Sequence, residues 1–116
     1  MTNSLHDNIK TIEAGYEFLL AYAAQGREND NGSEVRETLS GMLNATTEIA
    51  DMLTLEKEKF SSVVVDDAEK SHAAISLVLA QQTISSQLID NLNISIHLRA
   101  LLADLFLLDE INKINS

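Results

Sequence analysis

Glu69 and His72 are the residues of this chain whose types and spacing best suit chemistry. They stand three positions apart, and side chains at that spacing lie on one face of an α-helix. A carboxylate and an imidazole held together can bind one metal ion, and oxygen and nitrogen ligands of this kind suit iron or manganese. Glu48, beside the apolar stripe of a second helix, is a candidate third ligand. These three residues are therefore a candidate metal site, and if the chain does bind a metal the expected cofactor is iron or manganese.

The segment Glu69-Lys70-Ser71-His72-Ala73-Ala74 resembles the metal-binding segment of ferritin-like proteins, in particular the short encapsulated ferritins. The resemblance covers six of the 116 residues. It implies a ferritin-like metal-binding or oxidase subunit whose site is completed across a homodimer, because the chain has no second Glu-x-x-His pair. The competing interpretation is that Glu69 and His72 are an ordinary pair on a solvated or half-buried helix face.

Other catalytic chemistry finds little support in the sequence. The chain has no cysteine, so it has neither a thiol nucleophile nor thiolate metal ligands. No serine lies in a Gly-x-Ser-x-Gly turn. The loop from Gly26 to Gly32 is acidic and lacks the Gly-Lys-Ser/Thr ending of a phosphate-binding loop. An enzyme of the hydrolase or kinase type is therefore not predicted, and a non-enzymatic role is favoured.

The charge of the chain bears on its partners. Eighteen acidic residues against eight lysines and arginines give a formal charge of −10. No basic cluster is present to neutralise phosphates, so nucleic acid and anionic membranes are not expected as partners. No segment is apolar enough for a membrane span, and the first residues do not form a signal peptide. A cytoplasmic location is the expectation.

Apolar spacing of three and four residues runs through nearly the whole proline-free chain and predicts an all-α fold. In the first helix this stripe runs from Leu5 to Ala23. We predict a single domain over residues 1–116, arranged as an antiparallel four-helix bundle with up-down-up-down topology. The alternative is a long helical hairpin that dimerisation completes. The four predicted helices cover about residues 4–25, 33–60, 64–91 and 95–115.

The fourth predicted helix carries more apolar residues than one stripe requires. Eleven Leu, Ile and Phe residues lie between Ile94 and Ile114. Leu102, Phe106 and Leu107 flank the main stripe and are predicted to form an interaction surface, because large exposed apolar patches are uncommon on monomers. The sequence therefore favours a protein that acts through protein–protein association, as a homodimer or with another protein, in an adaptor, chaperone or assembly role.

Overall fold

In the computed structural model, which describes residues 4–115, the chain forms five α-helices and no β-strand. The helices are α1 (Leu5–Ala23), α2 (Val35–Thr54), α3 (Lys59–Leu79), α4 (Ser86–Asn93) and α5 (Ile96–Ile114). The all-α prediction is confirmed. The described residues contain five helices rather than the four predicted, because the third predicted helix is interrupted after Leu79.

The first two helices follow their predicted apolar stripes. Ser4 caps α1, since its side-chain oxygen accepts a hydrogen bond of 3.1 Å from the backbone amide of Asp7. This bond satisfies one of the amides that a first helical turn leaves unpaired. In α2 the spacing of four and three predicts an apolar stripe, and all of its residues are buried: Val35, Leu39, Met42, Thr46, Ile49 and Leu53. The apolar period thus identifies the faces of these helices that form the core.

The connection between α2 and α3 does not lie where the sequence places it. The sequence predicts a turn at Ser61 or Ser62, between the helices expected over residues 33–60 and 64–91, and this prediction is wrong. The chain turns at residues 55–58, and α3 begins at Lys59. The β-branched run that follows is helical because Val64 is fully buried in the core and Val65 packs against it. Packing therefore outweighs the weak helix propensity of these valines.

The predicted helix over residues 64–91 is also wrong in its middle, where α3 ends and α4 begins. The guanidinium of Arg36 on α2 donates hydrogen bonds to three carbonyls at the end of α3, those of Leu79 (3.2 Å), Gln81 (2.8 Å) and Gln82 (2.9 Å). A cation is favourable at a helix C-terminus, where the last carbonyls lack intrahelical partners. The next helix starts at a new cap, because the Ser85 side chain accepts a bond from the Leu88 amide.

The segment between these two helices is fixed from the opposite side by α1 and the loop after it. Asp30 accepts hydrogen bonds from the Arg36 guanidinium at 2.7 Å and from the Ile84 amide at 3.0 Å. Tyr22 is only 1% exposed, and its hydroxyl donates a hydrogen bond of 2.6 Å to the Ile84 carbonyl. We call Tyr22, Asp30 and Arg36, with the backbone of residues 79–84, the polar clamp. It supplies partners for backbone groups that a helix would otherwise satisfy internally.

Successive long helices run antiparallel. Arg36 of α2 meets the end of α3, whereas Thr46 lies beside His72 near the middle of α3. The α3 and α5 helices are also antiparallel neighbours, and the Ser71 hydroxyl donates to the carbonyl of His97 at 3.0 Å. The short α4 packs mainly on α1, where the Asn93 amide group donates to the Leu19 carbonyl. Within residues 4–115, no helix is both long enough and apolar enough to cross a membrane.

Candidate functional site

Glu69 and His72 line one cleft of about 340 Å³ between α2 and α3. The half-buried His72 ring is held by α2, with its Nδ1 atom 3.1 Å from the Thr46 hydroxyl and 3.3 Å from the Thr47 hydroxyl. Both hydroxyls donate their single protons to the Leu43 carbonyl, so they can only accept from the ring. In the neutral tautomer that is consistent with these bonds, the imidazole donates through Nδ1 and carries its lone pair on Nε2.

The third predicted ligand does not join this cleft. Glu48 is half-buried on α2 and is not among the residues that line it. Asp51 does line the cleft, on the same face of α2 as Thr47 and Thr54. The spacing of four and three between these residues was the sequence signal for it. Among the described residues, no group of three or more His, Asp or Glu side chains is arranged to hold a metal ion.

The cleft is acidic and continues along the helix pair. A second cleft of about 330 Å³ shares Thr54 and Glu69 with the first and adds Glu56 and Asp66 to its walls. The Nζ atom of Lys70 lies 2.9 Å from Oδ2 of Asp66. The hydrogen bond with Asp66, and after it the negative charge of Asp66, raise the pKa of Lys70. The polar side chains that line the groove between α2 and α3 are therefore mainly carboxylates and threonine hydroxyls, beside apolar residues such as Leu53 and Val65.

Two further carboxyl groups meet between α3 and α5, on Asp67 and Asp104. Burial raises the pKa of Asp104 to about 7, and a hydrogen bond with the Asp67 carboxyl and the repulsion of its charge act in the same direction. The Oδ2 atom of Asp104 is buried and meets no donor within residues 4–115. A hydrogen bond between two carboxyl groups requires a proton on one of them, so the Asp67 carboxyl favours the protonated form of Asp104.

The predicted interaction residues do not share one surface. Leu102 is 5% exposed and lies in the core, so the structure corrects its assignment to a surface; the stripe that α5 buries is wide enough to include it. Phe106 and Leu107 are 53% and 50% exposed. The apolar surplus of the fourth predicted helix is thus divided between the core and solvent.

Leu107 belongs to a second stripe of α5, opposite the buried one. This stripe, the outward face of α5, has spacings of four and three and consists of Ile96, Ala100, Ala103, Leu107, Glu110 and Ile114. Ile96 is 71% exposed and Ile114 is 73% exposed. Ile111, also exposed, lies beside the stripe. The sequence contained this signal, but the spacing alone does not tell which of two stripes on one helix faces the core.

These features can act in two ways. The groove offers an imidazole among carboxylates, and the outward face of α5 offers apolar side chains that the other described residues leave at least half exposed. The chain matches no protein-family model, no curated protein and no solved structure.

Proposed function

We propose that this chain is a small acidic helical protein that acts by binding protein, in an adaptor, chaperone or assembly role, through the outward face of α5. The observation that carries the proposal is the exposure of Ile96, Leu107 and Ile114 along one side of a well-packed helix. Burying such side chains is worth about 1.5–3 kcal/mol each. Because these three side chains are 50–73% exposed, their burial in an interface contributes part of that free energy to association.

The opposite side of the same helix argues that this exposure is not a result of loose packing. Leu98, Leu101 and Leu105 are fully buried, so α5 is held firmly in its orientation. Its core does not need the outer side chains. Apolar residues that a fold does not use and that lie together on a regular stripe are typical of an interaction surface.

The test is site-specific photo-crosslinking in cells of the source organism. A photoreactive amino acid in place of Leu107 should give covalent adducts with protein. The matched control replaces Gln87, which is exposed on α4 and away from the outward face, and should give few or none. Absence of any protein adduct at position 107, with the chain folded and expressed, would refute the proposal.

A metal site remains the second candidate function because Glu69 and His72 line the same cleft. These two residues are too few to hold an ion, so the proposal requires a second copy of the chain to supply further ligands. Because Glu48 does not line this cleft, it could act as a ligand only from outside the cleft wall. Iron or manganese near one atom per subunit in untagged protein, lost in Glu69→Ala and His72→Ala, would support it, and metal-free wild-type protein after growth with both metals would contradict it.

A further inference from the structure

We propose that the partner of the outward face of α5 is a second copy of this chain, packed antiparallel to the first about a two-fold axis. This inference rests on the proposed function and names the partner. The spacing of the stripe, alternately four and three residues, is the repeat that lets two helices pack along their length. The axis would cross α5 midway between Ala103 and Leu107.

The sizes of the side chains favour this register. A two-fold axis at that point places Leu107 of each copy opposite Ala103 of the other, so that a large side chain meets a small one. Ile96 at one end lies opposite Ile114 at the other end, which covers the two most exposed residues of the stripe. The same surface serves both copies, as a two-fold interface requires.

The charges favour the antiparallel direction over the parallel one. Antiparallel pairing places Glu110 opposite Ala100 of the second copy, whose small side chain leaves room for the carboxylate to reach the neighbouring Arg99. Each interface then contains two equivalent pairs of opposite charge. A parallel pairing in register would instead bring Glu110 against Glu110, and like charges facing each other across an interface are costly.

The segment that contains α5 has the smallest net charge in the chain. Residues 1–26 carry three acidic and one basic side chain, residues 27–92 carry twelve and five, and residues 93–116 carry three and two. In a chain with a formal charge of −10, a contact through α5 therefore brings together the segments of smallest net charge.

Single cysteines test the direction of pairing cleanly because the chain has none of its own. A mixture of Ile96→Cys and Ile114→Cys proteins should give a cross-linked dimer with a short bis-maleimide. Ile96→Cys alone should give little, because its two copies would lie about 27 Å apart along the helices. Efficient cross-linking of Ile96→Cys to itself would overturn the antiparallel arrangement.

Charge reversal tests the proposed pairs of Glu110 and Arg99, and sedimentation equilibrium measures the affinity of the dimer. Glu110→Arg should weaken the dimer roughly threefold to tenfold, because it sets two arginines side by side, and Arg99→Glu with Glu110→Arg should restore wild-type affinity. Leu107→Glu should weaken it at least about tenfold. All these positions are exposed, so circular dichroism should show unchanged helix content.

The outcomes separate this inference from the proposed function. A wild-type chain that stays monomeric at high concentration, while position 107 cross-links to a different protein in cells, overturns the second copy and keeps the proposed function. A monomer without any adduct at position 107 overturns both. A dimer unaffected by Leu107→Glu also refutes the assignment of the surface to α5.

Discussion

At the scale of single residues, Asp104 is the group whose ionisation depends most on the fold. Burial against α3, and the Asp67 carboxyl facing it, raise the pKa of Asp104 to about 7. An unfolded chain releases the same proton near pH 4. The folded state therefore gains stability from this group while it is protonated, and that gain is lost as the pH rises from about 4 to about 7.

Asp104→Asn should make the protein more stable, because the amide keeps the neutral form at every pH. We expect a gain of about 1–2 kcal/mol at pH 8, reduced from the full shift because solvent screens part of the repulsion, and a smaller gain at pH 5. Urea unfolding at the two pH values measures both. Asp90→Asn, which alters an exposed aspartate of α4, is the control and should change stability little. An equal gain in stability at pH 5 and at pH 8 would contradict the raised pKa of Asp104.

At the scale of the helices, two glycines that look alike in the sequence have different surroundings. A Cβ atom at Gly15 of α1 would lie 2.5 Å from Cγ of Met42, a fully buried residue of α2. At Gly41 the nearest atom is a Thr11 methyl group at 4.0 Å. The close crossing of α1 and α2 therefore requires a glycine at only one of the two positions.

Gly15→Ala should destabilise the fold by about 1–2 kcal/mol, because the displaced Met42 outweighs the higher helix propensity of alanine. Gly41→Ala should stabilise the fold by about 0.5–1 kcal/mol, because alanine has the higher helix propensity and its methyl group meets no clash at this position. Each variant is the control for the other in chemical denaturation. If both variants changed the free energy of unfolding in the same direction, the close contact between Gly15 and Met42 would be contradicted.

Arg36→Ala should loosen the end of α3 and cost about 2 kcal/mol or more, because three carbonyls lose a charged donor. The hydrogen bond from Arg36, and after it the one from the Ile84 amide, lower the pKa of Asp30. The Asp30 carboxylate therefore stabilises the fold at pH values above the pKa that it has in the unfolded chain. This contribution is lost as the pH falls through the lowered pKa of the folded state. Hydrogen exchange over residues 76–85 should accelerate in Arg36→Ala and not in Lys57→Ala, an exposed control. Unchanged protection there would refute the role of Arg36 as a cap.

These helices also show what the sequence could and could not predict. The buried faces of α1 and α2 follow from spacing, which is a local property of the chain. The interruption after Leu79 depends on Arg36, which is 43 residues away, so no local pattern announces it. The Asp67 and Asp104 pair likewise depends on how α3 and α5 are aligned. For the α2–α3 cleft, the i,i+3 spacing of Glu69 and His72 placed both on one face, but it did not indicate that Thr46 and Thr47 would hold the ring.

At the scale of the whole molecule, pairing through α5 would make stability depend on protein concentration. The transition temperature of the wild-type chain should rise by about 2–4 °C for each tenfold increase in concentration, since association favours the folded state. Leu107→Glu should reduce this dependence while the chain remains folded, because the weakened dimer forms only at higher concentrations. Calorimetry over a wide concentration range measures it, and a wild-type transition that does not move would contradict the pairing.

The polar clamp has a consequence for the order in which the molecule acquires its shape. Within the clamp, Tyr22 and Ile84 are 62 residues apart in the chain, and Arg36 and Leu79 are 43 residues apart. Contacts between such distant residues close slowly, whereas helices and adjacent hairpins assemble quickly. We therefore expect the clamp to form after the folding barrier has been crossed. Breaking it should shorten the lifetime of the native state and leave the rate of refolding almost unchanged.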